Sequence, residues 1–143
     1  METLTGITTF VLHKVAVASR RAIADRLAER PGLTLWEYAA LAELAELGPA
    51  AQNVLAAALG IDAADMVRLM DDLIEKRLVQ RERDPQDRRR YRITLTTKGR
   101  NALTTAHRVI REAEEATLQP LTEAERATLQ ALIAKIHTRA VKT

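Results

Sequence analysis

The sequence predicts a mainly helical chain interrupted by one small β-hairpin, an α+β composition weighted heavily towards α. Three observations carry this. Apolar residues recur at steps of three and four through most of the chain, the helical period. Residues 78–95 switch instead to the alternation of half-buried strands. Aromatic residues make up only 3% (Phe10, Trp36, Tyr38 and Tyr91), so the core must come from Leu, Ile, Val and Ala. At 143 residues the chain has room for one domain with a proper core and not for two.

The elements follow in order. From about Leu4 to Leu27 a helix is expected, with Val11, Val15, Ala18 and Ala22 forming an apolar stripe. "RPGL" at residues 30–33 ends it. Thr34 then stands as N-cap with Glu37 three residues on, a capping box, and Leu33 and Tyr38 occupy the positions of a hydrophobic staple. That helix stops at Gly48-Pro49. A short helix ending at Leu59, a corner at Gly60, and a helix capped by Asp62 come next. The latter carries Met66, Leu69, Met70, Leu73 and Ile74 on one face. Two short helices joined by a few residues with a Gly form a helix-turn-helix pattern.

"LVQRER" (78–83) and "RYRITL" (90–95) read as strands around the turn formers of "DPQDRR". A hairpin directly after a helix-turn-helix is a winged helix. A helix starting near Thr96 or Thr97 carries Leu103, Ala106, Ile110 and Ala113. After Pro120, a second capping box, Thr122-Glu125, opens a last helix striped with Leu129, Leu132, Ile133 and Ile136.

Composition narrows the function. Hydrophobic residues at 47% and charged residues at 29% are ordinary for a soluble globular chain. No apolar run approaches the roughly 18 residues of a membrane span. The N-terminal stretch has no basic segment ahead of its apolar part, so no signal peptide is expected. Cysteine is absent, which removes disulfides, thiol redox sensing and thiolate metal sites, and a cytoplasmic location is expected. His13, His107 and His137 are too scattered for a metal site. No Ser-His-Asp set, P-loop or glycine-rich phosphate cradle occurs, so neither enzymatic activity nor a cofactor is expected.

Charge is segregated. Residues 76–100 hold ten basic and three acidic side chains, while the rest of the chain holds twelve basic and sixteen acidic. Four arginines (Arg88, Arg89, Arg90 and Arg92) fall within five positions at the hairpin tip. Concentrated positive charge on one element is the footprint of a polyanion binder.

The run from about Thr34 to Gly99 resembles the MarR family of bacterial transcription regulators. The residues that carry the likeness are "LGIDAADMVRLMDDLIEKRLV", then "R-x-R-D-P-Q-D-R-R", then "ITLTTKG". The resemblance implies that residues 1–143 form a single domain of that type, with a winged helix-turn-helix module at 34–99. Residues 1–30 and 100–143 would then form a helical dimerisation region. It also implies a homodimer, a repressor gripping a pseudo-palindromic operator in double-stranded DNA, and release by a small aromatic or phenolic effector. A membrane is not among the implied partners.

By the same resemblance Arg89 is the minor-groove finger, with Arg88 and Arg90 near phosphates and Arg83 in the same wing. A planar, weakly hydrated guanidinium suits a narrow groove. Asp87 cannot favour DNA by charge and is expected to pair with a neighbouring arginine. The recognition helix, residues 63–76, departs from the family pattern at Ala63, Ala64 and Val67, where Ser, Thr or Arg is common. Arg68 is its strong candidate for a contact. Asp65 has two readings, acceptor from a cytosine amine or first-turn cap. Arg77 stands where the family has Gly. Gln52 and Asn53 lie at a helix start, where they would reach backbone phosphate or serve only the helix. Thr34 reads as a cap. His13, Lys14, Trp36 and Tyr38 are candidates for an effector pocket, offering a cation and aromatic walls. The competing function is a winged-helix protein-interaction module with weak or non-specific DNA binding.

Overall fold

The computed structural model describes residues 3–141. Among these, a 3-10 turn at Leu4–Gly6 precedes α1 (Thr8–Glu29), α2 (Leu35–Leu47), α3 (Gln52–Leu59) and α4 (Ala63–Glu75). Strands β1 (Val79–Arg83) and β2 (Tyr91–Leu95) follow, then α5 (Thr97–Leu118) and α6 (Glu123–Val141). The strands pair antiparallel with Val79 opposite Leu95 and Arg83 opposite Tyr91. No described helix is long and apolar enough to cross a membrane. The fold is mainly helical with a small β wing.

Local chemistry sets the helix ends. Thr34 Oγ1 accepts from the Glu37 amide (3.1 Å), Asp62 Oδ1 from Asp65 (2.8 Å), and Thr96 Oγ1 from Gly99 (2.9 Å). Each cap satisfies a donor that the first helical turn leaves unpaired, and loss of such a cap costs about 1 kcal/mol. Thr122 and Glu125 form the reciprocal box, at 3.2 Å and 3.0 Å. The Thr34-Glu37 pair forms only the first half of the expected box, because the Glu37 carboxylate is turned inward to Lys76. At the C-terminus of α3, Gly60 takes a left-handed conformation (φ 68°), and the Ile61 amide reaches back to Ala56 O at 3.1 Å.

The core lies where α2, α3, α4, the hairpin and the first half of α5 meet. Leu41, Leu55, Met66, Met70, Leu73, Ile93 and Ala106 are almost fully buried there, together with Leu27 near the end of α1. Each large aliphatic side chain removed from water in this way contributes roughly 1.5–3 kcal/mol. Ala50 extends the sheet, exchanging two backbone hydrogen bonds with Ile93 (3.1 and 2.7 Å). The start of α3 is thereby tied to β2.

Several expectations shift. The first helix divides at Gly6–Ile7 and then runs two residues further than Leu27. Its stripe of Val11, Val15, Ala18 and Ala22 is exposed in the single chain, and the residues that reach the core are Ile23 and Leu27. On α5, Leu103, Ala106 and Ala113 are buried as expected, Val109 joins them, and Ile110 is only partly buried. On β2, Tyr91 is exposed rather than half-buried, because the hairpin has already left the body at that point.

Candidate nucleic-acid interface

The helix-turn-helix and hairpin present one continuous surface, built on the amphipathicity of α4. Met66, Leu69, Met70 and Leu73 are buried, which leaves Ala63, Ala64, Asp65, Val67 and Arg68 facing solvent. The Arg68 guanidinium bonds Asp65 one turn before it, and this pairing raises the Arg68 pKa. Their exposed side chains make this a weak pair that water or a ligand can open. From Asp62 to Glu75 the helix and its cap hold five carboxylates (Asp62, Asp65, Asp71, Asp72 and Glu75) against one arginine. The exposed surface of α4 is therefore acidic, small and apolar.

The end of α4 fixes its angle to the hairpin. Arg77 adopts φ 60°, the left-handed conformation in which glycine is favoured. Its amide bonds Ile74 O (2.9 Å) and the Leu78 amide bonds Leu73 O (2.9 Å), the pair of contacts that closes a helix C-terminus. The helix axis is locked further by Lys76, whose Nζ donates to both oxygens of the buried Glu37 carboxylate (3.0 and 2.8 Å) and to Gly32 O (3.2 Å). Glu37 is 3% exposed, so this bidentate partner is what makes its burial tolerable.

On the far side of the hairpin, "LTTKG" has a geometric explanation. Thr96 Oγ1 caps α5 and donates to Arg77 O (2.7 Å), while its amide bonds Leu78 O (3.1 Å). Lys98 Nζ donates to Lys76 O (2.9 Å). A Cβ on Gly99 would lie 2.0 Å from Leu78 O, so only glycine lets α5 start this close to β1.

The wing arginines divide into two groups. Arg81 donates to Gln52 Oε1 (2.7 Å), which ties β1 to the start of α3, whereas Asn53 beside it is exposed. Arg92 pairs across the strands with Glu82 (2.6 Å). Arg83 lies over the Tyr91 ring, 4.9 Å from its centroid, and donates to Arg88 O. These three brace the hairpin. At the tip, Arg88, Arg89 and Arg90 project into solvent, with the Arg89 side chain 91% exposed. Asp87 organises that tip. Its Oδ1 accepts from the Arg89 amide (3.1 Å) and from Arg89 Nε (3.3 Å), and its carbonyl accepts from the Arg90 amide (2.9 Å).

The four pocket candidates make separate contacts. Trp36 is half exposed beside α4, in a cleft with Thr34, Asp65 and Asp72. Tyr38 faces α5, its ring edge-on to His107 at 5.7 Å, and burial pushes its phenol pKa up. Lys14 lies over Phe10 within α1 (5.8 Å), and His13 is exposed on the same helix. Trp36 thus faces α4 and Tyr38 faces α5, while Lys14 meets Phe10 on α1. Sequence reasoning missed Glu37–Lys76 and Arg81–Gln52, because each joins residues far apart in the chain.

Comparison with known proteins agrees with this geometry. Residues 32–90 match the model of the MarR family. A transcriptional regulatory protein proposed for the hcr operon of Thauera aromatica is 28% identical over 140 residues, covering 98% of this chain and 84% of that protein. Among solved structures, a "probable transcriptional regulator" from Pseudomonas aeruginosa is 32% identical with a TM-score of 0.76, over 94% of this chain and 99% of that one. A mutant MarR from E. coli complexed with operator DNA shares the fold at 24% identity, with a TM-score of 0.72 over 88% and 90% of the two chains. The chain thus shares its fold along nearly its whole length with a transcriptional regulator, and residues 32–90 are a winged helix-turn-helix of the MarR family.

Proposed function

We propose that the chain is a sequence-specific DNA-binding transcriptional regulator. In this reading it acts as a homodimeric repressor on a pseudo-palindromic operator and is released by a small aromatic ligand. One observation carries the reading above the rest: three arginines project into solvent at a hairpin tip whose shape is fixed by Asp87, while the other arginines of the hairpin are occupied in bracing it. Residues 34–99 are the DNA-binding module. Arg89 enters the minor groove, Arg88 and Arg90 neutralise phosphates, and Arg83 holds the tip in place. Ala63, Ala64, Asp65, Val67 and Arg68 face the major groove, where apolar side chains meet thymine methyls and Asp65 accepts from cytosine. Asn53 and the Gln52 amide nitrogen are available to phosphate.

Residues 1–30 and 100–143 supply the dimer. Support comes from their surplus apolar surface: Val11, Leu12 and Val15 on α1 and Leu132, Ile133 and Ile136 on α6 are exposed, and no described α6 side chain is buried. A cleft of about 600 Å³ between α1, α5 and α6 is lined by Val11, Val15, Leu118 and Ile133. A second copy would fill it through a self-complementary interface. The shared fold with an operator-bound protein favours DNA as the partner. The effector rests on family membership, with Trp36, Tyr38, His13 and Lys14 as its candidate contacts in the dimer.

The acidic face of α4 favours a second reading, in which the module docks a protein and touches DNA only weakly. Titration of the DNA upstream of the chain's own gene, at several salt concentrations and against random DNA, separates the two. The repressor reading expects tight binding to the upstream DNA, falling with salt at a log–log slope of about −0.9 per phosphate neutralised. Equal affinity for random DNA would favour the docking module.

A further inference from the structure

From Ala63 to Glu75, Arg68 is the only side chain with an N–H to donate at neutral pH. Its neighbours on the exposed face of α4, Ala63, Ala64 and Val67, offer methyl groups alone. Carboxylates lie within reach of Arg68 in both directions: Asp65 three positions before it, Asp71 and Asp72 three and four after. The guanidinium takes the first of these, with Nη2 donating to Asp65 Oδ1. It is thereby drawn to the N-terminal turn, the direction in which long helical side chains lean.

Asp65 is not spent on the helix end. Its amide is met by Asp62 Oδ1 at 2.8 Å, so capping falls to Asp62 and the Asp65 carboxylate is turned to Arg68. Both side chains stay open to a large partner, at 74% exposure for Arg68 and 54% for Asp65. A single contact occupies one of the five guanidinium N–H groups, and the rest suffice for guanine O6 and N7 together. Asp65 Oδ2 is left for a cytosine amine. In water such a pair contributes little. Against DNA it matters more: a guanidinium already held loses less freedom on binding, and the contact strengthens where groove water is displaced.

We infer that Asp65 is a positioning residue. It holds Arg68 over the first turns of α4, where a recognition helix meets base edges, and so selects guanine at one position of the bound DNA. This role rests on the regulator reading above, in which α4 enters the major groove. Two effects of opposite sign separate it from that of a plain acidic charge. Without Asp65 one carboxylate fewer faces the phosphates, so affinity for arbitrary DNA rises, while discrimination in favour of guanine falls.

The test selects DNA from a pool of random duplexes with the full chain, then measures single-base variants of the selected site by fluorescence anisotropy. The base read by Arg68 is the one whose preference Arg68→Lys removes, since lysine keeps the charge and loses the planar fork. That base should be guanine, preferred about tenfold or more. Asp65→Ala should cut this preference about threefold or more and raise affinity for random duplexes. Asp65→Asn, whose amide oxygen still accepts from Arg68, should fall between Asp65→Ala and the wild type. A base other than guanine there, a site indifferent to Arg68→Lys, or an unchanged preference in folded Asp65→Ala overturns the role alone. No enrichment from the pool by the wild-type chain overturns the regulator reading, and this role with it. If Asp65→Ala fails to fold, Asp65→Asn decides: a preference below wild type supports the role and an unchanged one overturns it.

Discussion

Single residues at the root of the wing set its geometry. Arg77 sits in a left-handed conformation that costs a side-chain-bearing residue about 1 kcal/mol relative to glycine. Arg77→Gly should therefore raise the thermal midpoint by a few degrees, measured by circular dichroism; a lower midpoint would mean that the arginine side chain contributes more than its backbone costs. Gly99 is the converse case. Its would-be Cβ collides with backbone rather than with a flexible side chain, so relief requires α5 to move off β1. Gly99→Ala should destabilise by about 2 kcal/mol or more, read from urea unfolding, and a wild-type midpoint would show that the helix start yields freely. Both positions belong to a motif visible in sequence, but the reason for the glycine became visible only with Leu78 O in place.

At the scale of elements, α4 and the hairpin divide the labour unevenly. The hairpin carries the exposed cations and the helix carries carboxylates. On the regulator reading proposed above, affinity for DNA should therefore depend more on the wing than on the helix. Arg89→Ala should weaken operator binding by about 1–3 kcal/mol, measured by fluorescence anisotropy, with helical content and subunit assembly unchanged. An unchanged affinity would remove Arg89 from the contact. The elements themselves were largely legible. Thr34, Asp62, Thr96 and Thr122 act within three residues of themselves, so their caps could be read from spacing. Which arginines stay exposed at the tip could not be read, because Arg81, Arg83 and Arg92 are engaged by Gln52, the Tyr91 ring and Glu82, partners set by strand register and by the docking of α3.

The whole molecule has a closed core in its middle and open apolar faces at both ends of the chain. The stripe on α1 was legible, but its occupant was not: the core takes Ile23 and Leu27 and leaves Val11 and Val15 in water. Exposed aliphatic surface of this extent is costly unless it is covered. Light scattering at micromolar concentration should give twice 15.9 kDa. A monomer mass would require another cover for α1 and α6.

The sequence by itself determined the capped helix starts, the place of the hairpin and the segregation of charge onto it, since periodicity, capping and net charge are local quantities. Tertiary structure decided the rest. It drew Glu37 away from its capping box to meet Lys76, left three arginines exposed at the tip while engaging three others along the hairpin, and left Thr94 Oγ1 buried without a partner. Those outcomes depend on which residues meet across dozens of positions, and packing alone sets that.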